Sequence, residues 1–233
     1  MTTAKLAQAT ITEREELSDD LWTIKIEPDV PFKFKAGQYC TIGVDGIERP
    51  YSIVSAPEEP LIELFIELVP APDGVLTPLL YQLHPGDTMS LRPRAKGLFT
   101  LDEGKKNHLM IATVTGVCPY VSILRQYLLQ GRRDGHQFYI LQGGSFQEEL
   151  GYRSELEDLS RQYDFIHYVP TVSRPQDQQN SGWDGEIGRG NTLIEKYAEE
   201  FGLKAEDSMI YLCGHPGMIE DGKLRAEQIG IPF

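Results

Sequence analysis

Polar and apolar residues alternate in short runs from Ala7 to Leu101, as expected of half-buried strands. The runs are Ala9 to Thr12, Leu21 to Ile26, Gln38 to Ile42, Tyr51 to Ser55, Ile62 to Leu68 and Thr88 to Leu91, rich in β-branched and aromatic residues. Turn chemistry separates them at Pro28-Asp29, Ala36-Gly37, Asp45-Gly46, Glu59-Pro60 and Pro85-Gly86-Asp87. Six strands at this spacing predict a small antiparallel β-barrel. One insertion breaks the rhythm. Asp73-Gly74-Val75-Leu76-Thr77-Pro78 reads as a loop entering a short helix with proline near its start. Its N–H groups either favour an anion or are simply capped by Thr77.

The pattern changes after the charged stretch Asp102 to Asn107, so the sequence divides into domains at 1–102 and 103–233. Buried-looking runs now alternate with helical stretches: His108 to Ala112 then Pro119 to Gln130, Phe138 to Leu141 then Gln147 to Leu159, Phe165 to Val169 then Asn191 to Phe201, and Met209 to Cys213 then Pro216 to Glu227. Such alternation predicts an α/β domain with a parallel sheet covered on both faces and ligands off the carboxyl ends of its strands. The polar run Gln176 to Ser181 reads as a mobile loop.

Composition narrows the function classes. Of 233 residues, 40% are hydrophobic and 24% charged, enough for packed cores. With 22 Lys+Arg against 35 Asp+Glu, a formal charge of −13 argues against a nucleic-acid partner. No apolar run approaches the ~20 residues that cross a bilayer, and Met1 to Thr10 lacks a signal-peptide core, so no membrane insertion and a cytoplasmic location are expected. Cys40, Cys118 and Cys213 stand apart from one another, which suits a reducing compartment, and the five histidines show no metal-ligand spacing.

Candidate chemistry gathers at five places. On an extended segment Arg49 and Tyr51 share one face, with Pro50 between them and Ser52 following. That set suits a flavin: a guanidinium for phosphate, a phenol ring against the isoalloxazine, a hydroxyl near its reactive nitrogen. An ordinary half-exposed strand reads the same way. The Gly74 to Thr77 loop is the second. In the second half, Thr113-Val114-Thr115-Gly116-Val117-Cys118-Pro119 is a strand-to-helix turn in which Gly116 allows close approach, although it is not a G-x-G-x-x-G fingerprint. Ser173-Arg174 places a hydroxyl beside a guanidinium able to grip a phosphate monoester, with Arg189 as a second cation; a solvated loop arginine is the plain alternative. Finally, Cys213-Gly214-His215-Pro216 forms another strand-to-helix turn, in which Cys213 also fits as a small buried residue.

Taken in order, these motifs, with Gly97-Leu98-Phe99 and Glu149-Leu150-Gly151-Tyr152, resemble the ferredoxin–NADP reductase family, in particular its bacterial ferredoxin/flavodoxin reductase branch, over nearly the full length. The resemblance implies a six-stranded antiparallel barrel for FAD and an α/β domain with a five-stranded parallel sheet for NADP(H). Arg49 would neutralise the FAD pyrophosphate, Tyr51 stack on the isoalloxazine, and Ser52 hydrogen-bond the N5 region. Gly74, Val75, Leu76 and Thr77 would supply further donors, and Pro50 and Phe65 complete the flavin set. Thr115 and Gly116 would lie between flavin and nicotinamide, while Ser173 and Arg174, with Arg189, would hold the 2′-phosphate. Cys213, in the turn with Gly214, His215 and Pro216, would flank the nicotinamide, so Ser52 and Cys213 are the catalytic candidates. The implied activity is hydride transfer between NADP(H) and FAD, with single electrons exchanged with ferredoxin or flavodoxin. A reductase component for an oxygenase and a non-catalytic flavin- or nucleotide-binding relay subunit are the alternatives.

Three departures from the family pattern matter. Val114 stands where T-G-T-G has glycine, so a less close backbone approach is expected there. Cys118 stands where the family residue is usually small, with packing as its expected role. The chain ends at Phe233, where relatives continue to an aromatic covering the second flavin face; Phe233 substitutes, that face is open, or the chain is truncated.

Overall fold

In the computed structural model, which describes residues 6–233, the chain separates into two compact units. The first runs to Leu101 and also takes in Cys118–Gly131; the second is Asp102–Val117 with Arg132–Phe233. The sequence-based division after residue 102 thus meets a break after Leu101, with one later helix grouped with the first unit. Part of the N-terminal stretch read as lacking a signal-peptide core, residues 1–5, lies outside the described residues.

Strands β1 (Ala7–Glu16), β2 (Leu21–Pro28), β3 (Tyr39–Val44), β4 (Ile47–Ser52), β5 (Ile62–Glu67) and β6 (Thr88–Leu91), with the short helix α1 (Thr77–Tyr81) between the last two, build the first unit. The order β4-β3-β6-β1-β2-β5 is antiparallel throughout, and an Ile53↔Leu64 bridge joins the two ends into a nearly closed barrel. Alternation explains the core: Ile62, Leu64 and Ile66 point inward with Ile24, Ile26, Ile42 and Leu91. The strand expected over Tyr51 to Ser55 instead begins at Ile47, because Ile47 to Ser52 pair residue by residue with Val44 to Tyr39 around the Asp45-Gly46 turn. Asp45 and Gly46 both take positive φ, 52° and 79°, as a two-residue hairpin requires. Helix α2 (Cys118–Leu129) belongs to this unit: Ser122 Oγ donates to the Ser55 carbonyl at 2.7 Å, and Arg125 pairs with Glu63 at 2.6 Å.

In the second unit, strands β7 (Asn107–Thr113), β8 (Gln137–Gly144), β9 (Ile166–Val172), β10 (Glu186–Ile187) and β11 (Ser208–Cys213) form a parallel sheet of order β10-β9-β8-β7-β11. Helices α3 (Arg153–Gln162), α4 (Ile194–Glu200) and α5 (Pro216–Ile229) belong to it. The fifth strand, β10, is only two residues long, too short to show any periodicity. From β7 the chain steps outward through β8 and β9 to β10 and then crosses back to place β11 on the other side of β7, so the strand order reverses between β7 and β11, the sheet's topological switch point. No helix among the described residues is long and apolar enough to cross a membrane.

Candidate functional site

Within the barrel unit, Arg49 and Tyr51 lie opposite Ile42 and Cys40 of β3 and therefore share their face. Ile42 and Cys40 are buried, whereas this edge strand leaves Tyr51 half-buried against the core and Arg49 exposed. The Arg49 guanidinium donates to the Glu48 carbonyl at 2.8 Å, and the adjacent Glu48 carboxylate pairs with Arg92 at 2.5 Å. Burial pushes the Tyr51 phenol up to about 12, against the opposing pull of Arg49, so the ring stays neutral. An exposed cation, a neutral half-buried ring and the half-buried Ser52 hydroxyl are together the donor set a flavin dinucleotide needs, so these residues fit FAD.

The rest of the expected flavin set divides. Val75 is 47% exposed, but Leu76 is buried in the barrel core, leaving only its backbone for a ligand. The Thr77 hydroxyl does not cap α1. It accepts from the Val69 N–H and donates to the Val69 carbonyl, both at 3.0 Å, tying the loop to the end of β5. Gly74 serves the same closure: a Cβ there would come within 1.7 Å of the Val69 oxygen. Phe65 is buried at 3% exposure on the face of β5 opposite the barrel core, so little of its ring is left for a cofactor.

The second unit's switch point is laced together. Thr113 Oγ1 accepts the His215 N–H at 2.7 Å, and a Cβ on Gly214 (φ +130°) would come within 2.1 Å of that hydroxyl. From the other side, a Cβ on Gly116 would meet the Cys213 carbonyl oxygen at 2.2 Å. The turns read separately in the sequence, Thr113 to Gly116 and Cys213 to Pro216, are thus one structure. Thr113, which joins them, stands at the head of its turn in the sequence, but its partner lies 102 residues away and only the fold reveals it. Val114 has φ +46°, so it adopts the left-handed conformation glycine would supply while keeping its Cβ. His215 caps α5, its Nδ1 accepting from Gly217 N–H at 3.0 Å. Burial pushes the Cys213 thiol up to about 11, so it is a neutral wall of the turn and not a thiolate.

At the far side of the same sheet edge, Ser173 N–H continues the β8–β9 ladder by donating to the Gly144 carbonyl at 2.9 Å. Gly188, just before Arg189, donates to the Val172 carbonyl at 2.9 Å, and its own carbonyl accepts from Thr171 Oγ1 at 2.8 Å. The fold therefore brings Arg189 to the strand end beside Ser173-Arg174, and both arginines are exposed. Gln176 to Ser181 contains a short 3-10 turn with Asn180 buried. Away from this edge, Glu103, Asp134 and His136 bring ligand atoms within 4.8 Å of one another, but Arg132 already bonds both carboxylates, at 2.8 and 2.7 Å.

Known proteins resemble this chain along its length. Residues 8–99 match the oxidoreductase FAD-binding domain family and residues 110–223 the oxidoreductase NAD-binding domain family. The flavodoxin/ferredoxin–NADP reductase of Escherichia coli is 31% identical over 91% of this chain and 86% of its own. Ferredoxin–NADP reductase B of Sorangium cellulosum is 34% identical over 86% and 82%. The crystal structure of a ferredoxin NADP+ reductase from Neisseria gonorrhoeae with bound FAD and NADP superposes with a TM-score of 0.82 at 29% identity, covering 97% of this chain and 92% of that one.

Proposed function

This chain belongs to the flavodoxin/ferredoxin–NADP reductase family, and from that premise we propose how its residues divide the work of an FAD- and NADP(H)-dependent oxidoreductase. FAD, when bound, would supply the redox chemistry: a two-electron hydride acceptor towards the nicotinamide coenzyme and a one-electron donor or acceptor towards a protein carrier. The chain's own residues bind, orient and exclude water; no general acid or base is required.

In the barrel unit, Arg49 sets its charge against the dinucleotide pyrophosphate, Tyr51 offers a neutral ring, and Ser52 presents a hydroxyl at the end of β4. Pro50, opposite Thr41, holds the segment between Arg49 and Tyr51 at a fixed φ. The Val75 to Thr77 backbone adds N–H donors from a loop already closed by Gly74 and Thr77. In the second unit, the laced turns around Thr115, Gly116, Cys213, Gly214, His215 and Pro216 form a fixed floor for the nicotinamide end, while Ser173, Arg174 and Arg189 take the 2′-phosphate. The observation that carries this reading is the placement of Arg174 and Arg189 on neighbouring segments at the carboxyl edge of the sheet, where an α/β fold binds its ligands.

The carrier is an acidic ferredoxin or flavodoxin. Lys33, Lys35, Arg94 and Lys96, with Arg92 paired to Glu48, are exposed on adjoining segments of the barrel unit. A Tyr39↔Lys96 bridge, a Gln38-to-Gly97 hydrogen bond of 2.9 Å and an Arg92-to-Thr41 hydrogen bond of 2.9 Å hold those segments side by side. Leu98 stands among them 99% exposed. In a chain of net charge −13, local positive charge is what lets an acidic partner approach. Three free cysteines suit the reducing cytoplasm as the compartment. The test is direct: the purified protein takes up FAD, turns yellow, is bleached anaerobically by NADPH, and passes electrons to ferredoxin or flavodoxin. A protein that takes up no FAD contradicts the reading.

A further inference from the structure

Resting on the assignment of the 2′-phosphate to Ser173, Arg174 and Arg189, we propose that Asn180 is the positioning residue that presents Arg174 and thereby sets the preference for NADPH over NADH. Asn180 lies within the polar run Gln176 to Ser181, yet it is only 2% exposed. Its Oδ1 accepts the Gln147 N–H at 2.8 Å, and its Nδ2 donates to the carbonyls of Ser145 and Arg174, each at 2.9 Å. One donor and two acceptors around the amide fix its orientation.

Those partners are what make the contact specific. Ser145 and Gln147 flank Phe146, and the Arg174 guanidinium lies over the Phe146 ring, 5.3 Å from its centroid. A single amide thus fixes the backbone on both sides of an aromatic platform together with the carbonyl of the arginine laid upon it. Neighbouring bonds support the same arrangement: Ser145 N–H donates to the Glu149 carboxylate at 2.6 Å, and Asp177 N–H to the Arg174 carbonyl at 3.0 Å. An exposed arginine held on a ring has fewer rotamers to lose when it grips an anion, so the clamp preorganises phosphate binding. NADH has no 2′-phosphate and does not draw on that preorganisation, so the effect discriminates between the two coenzymes.

The experiment is steady-state kinetics of the FAD-loaded enzyme with NADPH and NADH, together with the affinity for 2′-phospho-AMP, in Asn180→Ala, Asn180→Asp, Phe146→Leu and Arg174→Ala. Asn180→Asp keeps the volume and the acceptor for Gln147 but sets lone pairs against two carbonyls. Both Asn180 variants and Phe146→Leu should raise the NADPH KM and the 2′-phospho-AMP Kd by about 5- to 20-fold, with kcat and the NADH KM within about twofold. Should Asn180→Ala fail to fold, Asn180→Asp and Phe146→Leu decide. Parallel losses with both coenzymes, or an unchanged 2′-phospho-AMP affinity, overturn the proposal. If Arg174→Ala leaves the NADPH/NADH ratio intact, the 2′-phosphate assignment itself fails; if it removes the ratio while the Asn180 variants keep it, only the role of Asn180 fails.

Discussion

Thr113 Oγ1 accepts the backbone N–H of His215 at 2.7 Å, although 102 residues separate them in sequence. That bond joins the ends of β7 and β11, the two strands on either side of the switch point. Thr113→Val keeps the shape and removes the acceptor. It should lower stability by about 1 kcal/mol, the usual net worth of one hydrogen bond, and slow flavin reduction by NADPH, while Thr113→Ser should retain both. Denaturant unfolding and rapid-mixing kinetics on the three proteins provide the comparison.

Val114 is a β-branched residue held at φ +46° beside that bond. Strain of roughly 1–2 kcal/mol is expected for such a residue in the left-handed region, against roughly 0.5–1 kcal/mol of added chain entropy for glycine. Val114→Gly should therefore stabilise the protein by about 0.5–1 kcal/mol with its backbone unchanged. A lower denaturation midpoint would show that the valine side chain contributes packing that outweighs its strain.

The barrel was legible because Ile62, Leu64 and Ile66 alternate with polar or outward-facing residues, and the parallel sheet because its strands read as continuous apolar runs. What escaped the sequence depended on distant partners. Helix α2 is apolar on much of its surface, from Val121 through Tyr127, so nothing local indicates that it groups with the barrel unit. Asn180 lies in a polar run indistinguishable from a solvated loop until its three partners are seen. Thr77 was expected as a helix cap or an anion donor, and its hydroxyl is instead spent on Val69. Arg49-Pro50-Tyr51-Ser52 was readable as a unit since strand alternation alone places its side chains.

His108 and His136 are both buried, their rings stacked 5.1 Å apart with Nε2 and Nδ1 2.8 Å from one another. Tyr211 Oη lies 3.2 Å from His108 Nδ1 and accepts the Asp102 N–H at 2.9 Å. Burial and the neighbouring His136 hold His108 down to about 4 from 6.5, with the carboxylates of Asp102 and Glu103 opposing and Lys106 adding to the shift. His136 is lowered as well, chiefly by burial. The folded state thus resists protons that the unfolded chain accepts. Stability is complete above pH 6.5 and declines as pH falls toward 4, by on the order of 2–3 kcal/mol for His108. Urea midpoints measured across that window should fall with acid, and His108→Phe should flatten the slope whatever it does to the absolute midpoint.

If the carrier docks on the exposed cations of the barrel unit, its reduction should be sensitive to salt. Reversing Arg94 and Lys96 to glutamate should lower the rate with an acidic ferredoxin by about tenfold at low ionic strength and leave NADPH oxidation by a small uncharged acceptor unchanged. Raising the salt concentration should erase the difference between variant and parent. A carrier rate indifferent to both salt and charge reversal would place docking elsewhere.

The central claim is that this chain joins a bound flavin to a coenzyme it recognises by its 2′-phosphate, and anaerobic stopped-flow reduction of the FAD-loaded protein tests it most directly. NADPH should bleach the flavin faster than NADH, and Arg174→Ala should remove roughly 1.5–3 kcal/mol of transition-state stabilisation with NADPH while scarcely changing NADH. Equal reduction by the two coenzymes in the parent protein, or equal losses with both in the variant, would contradict it.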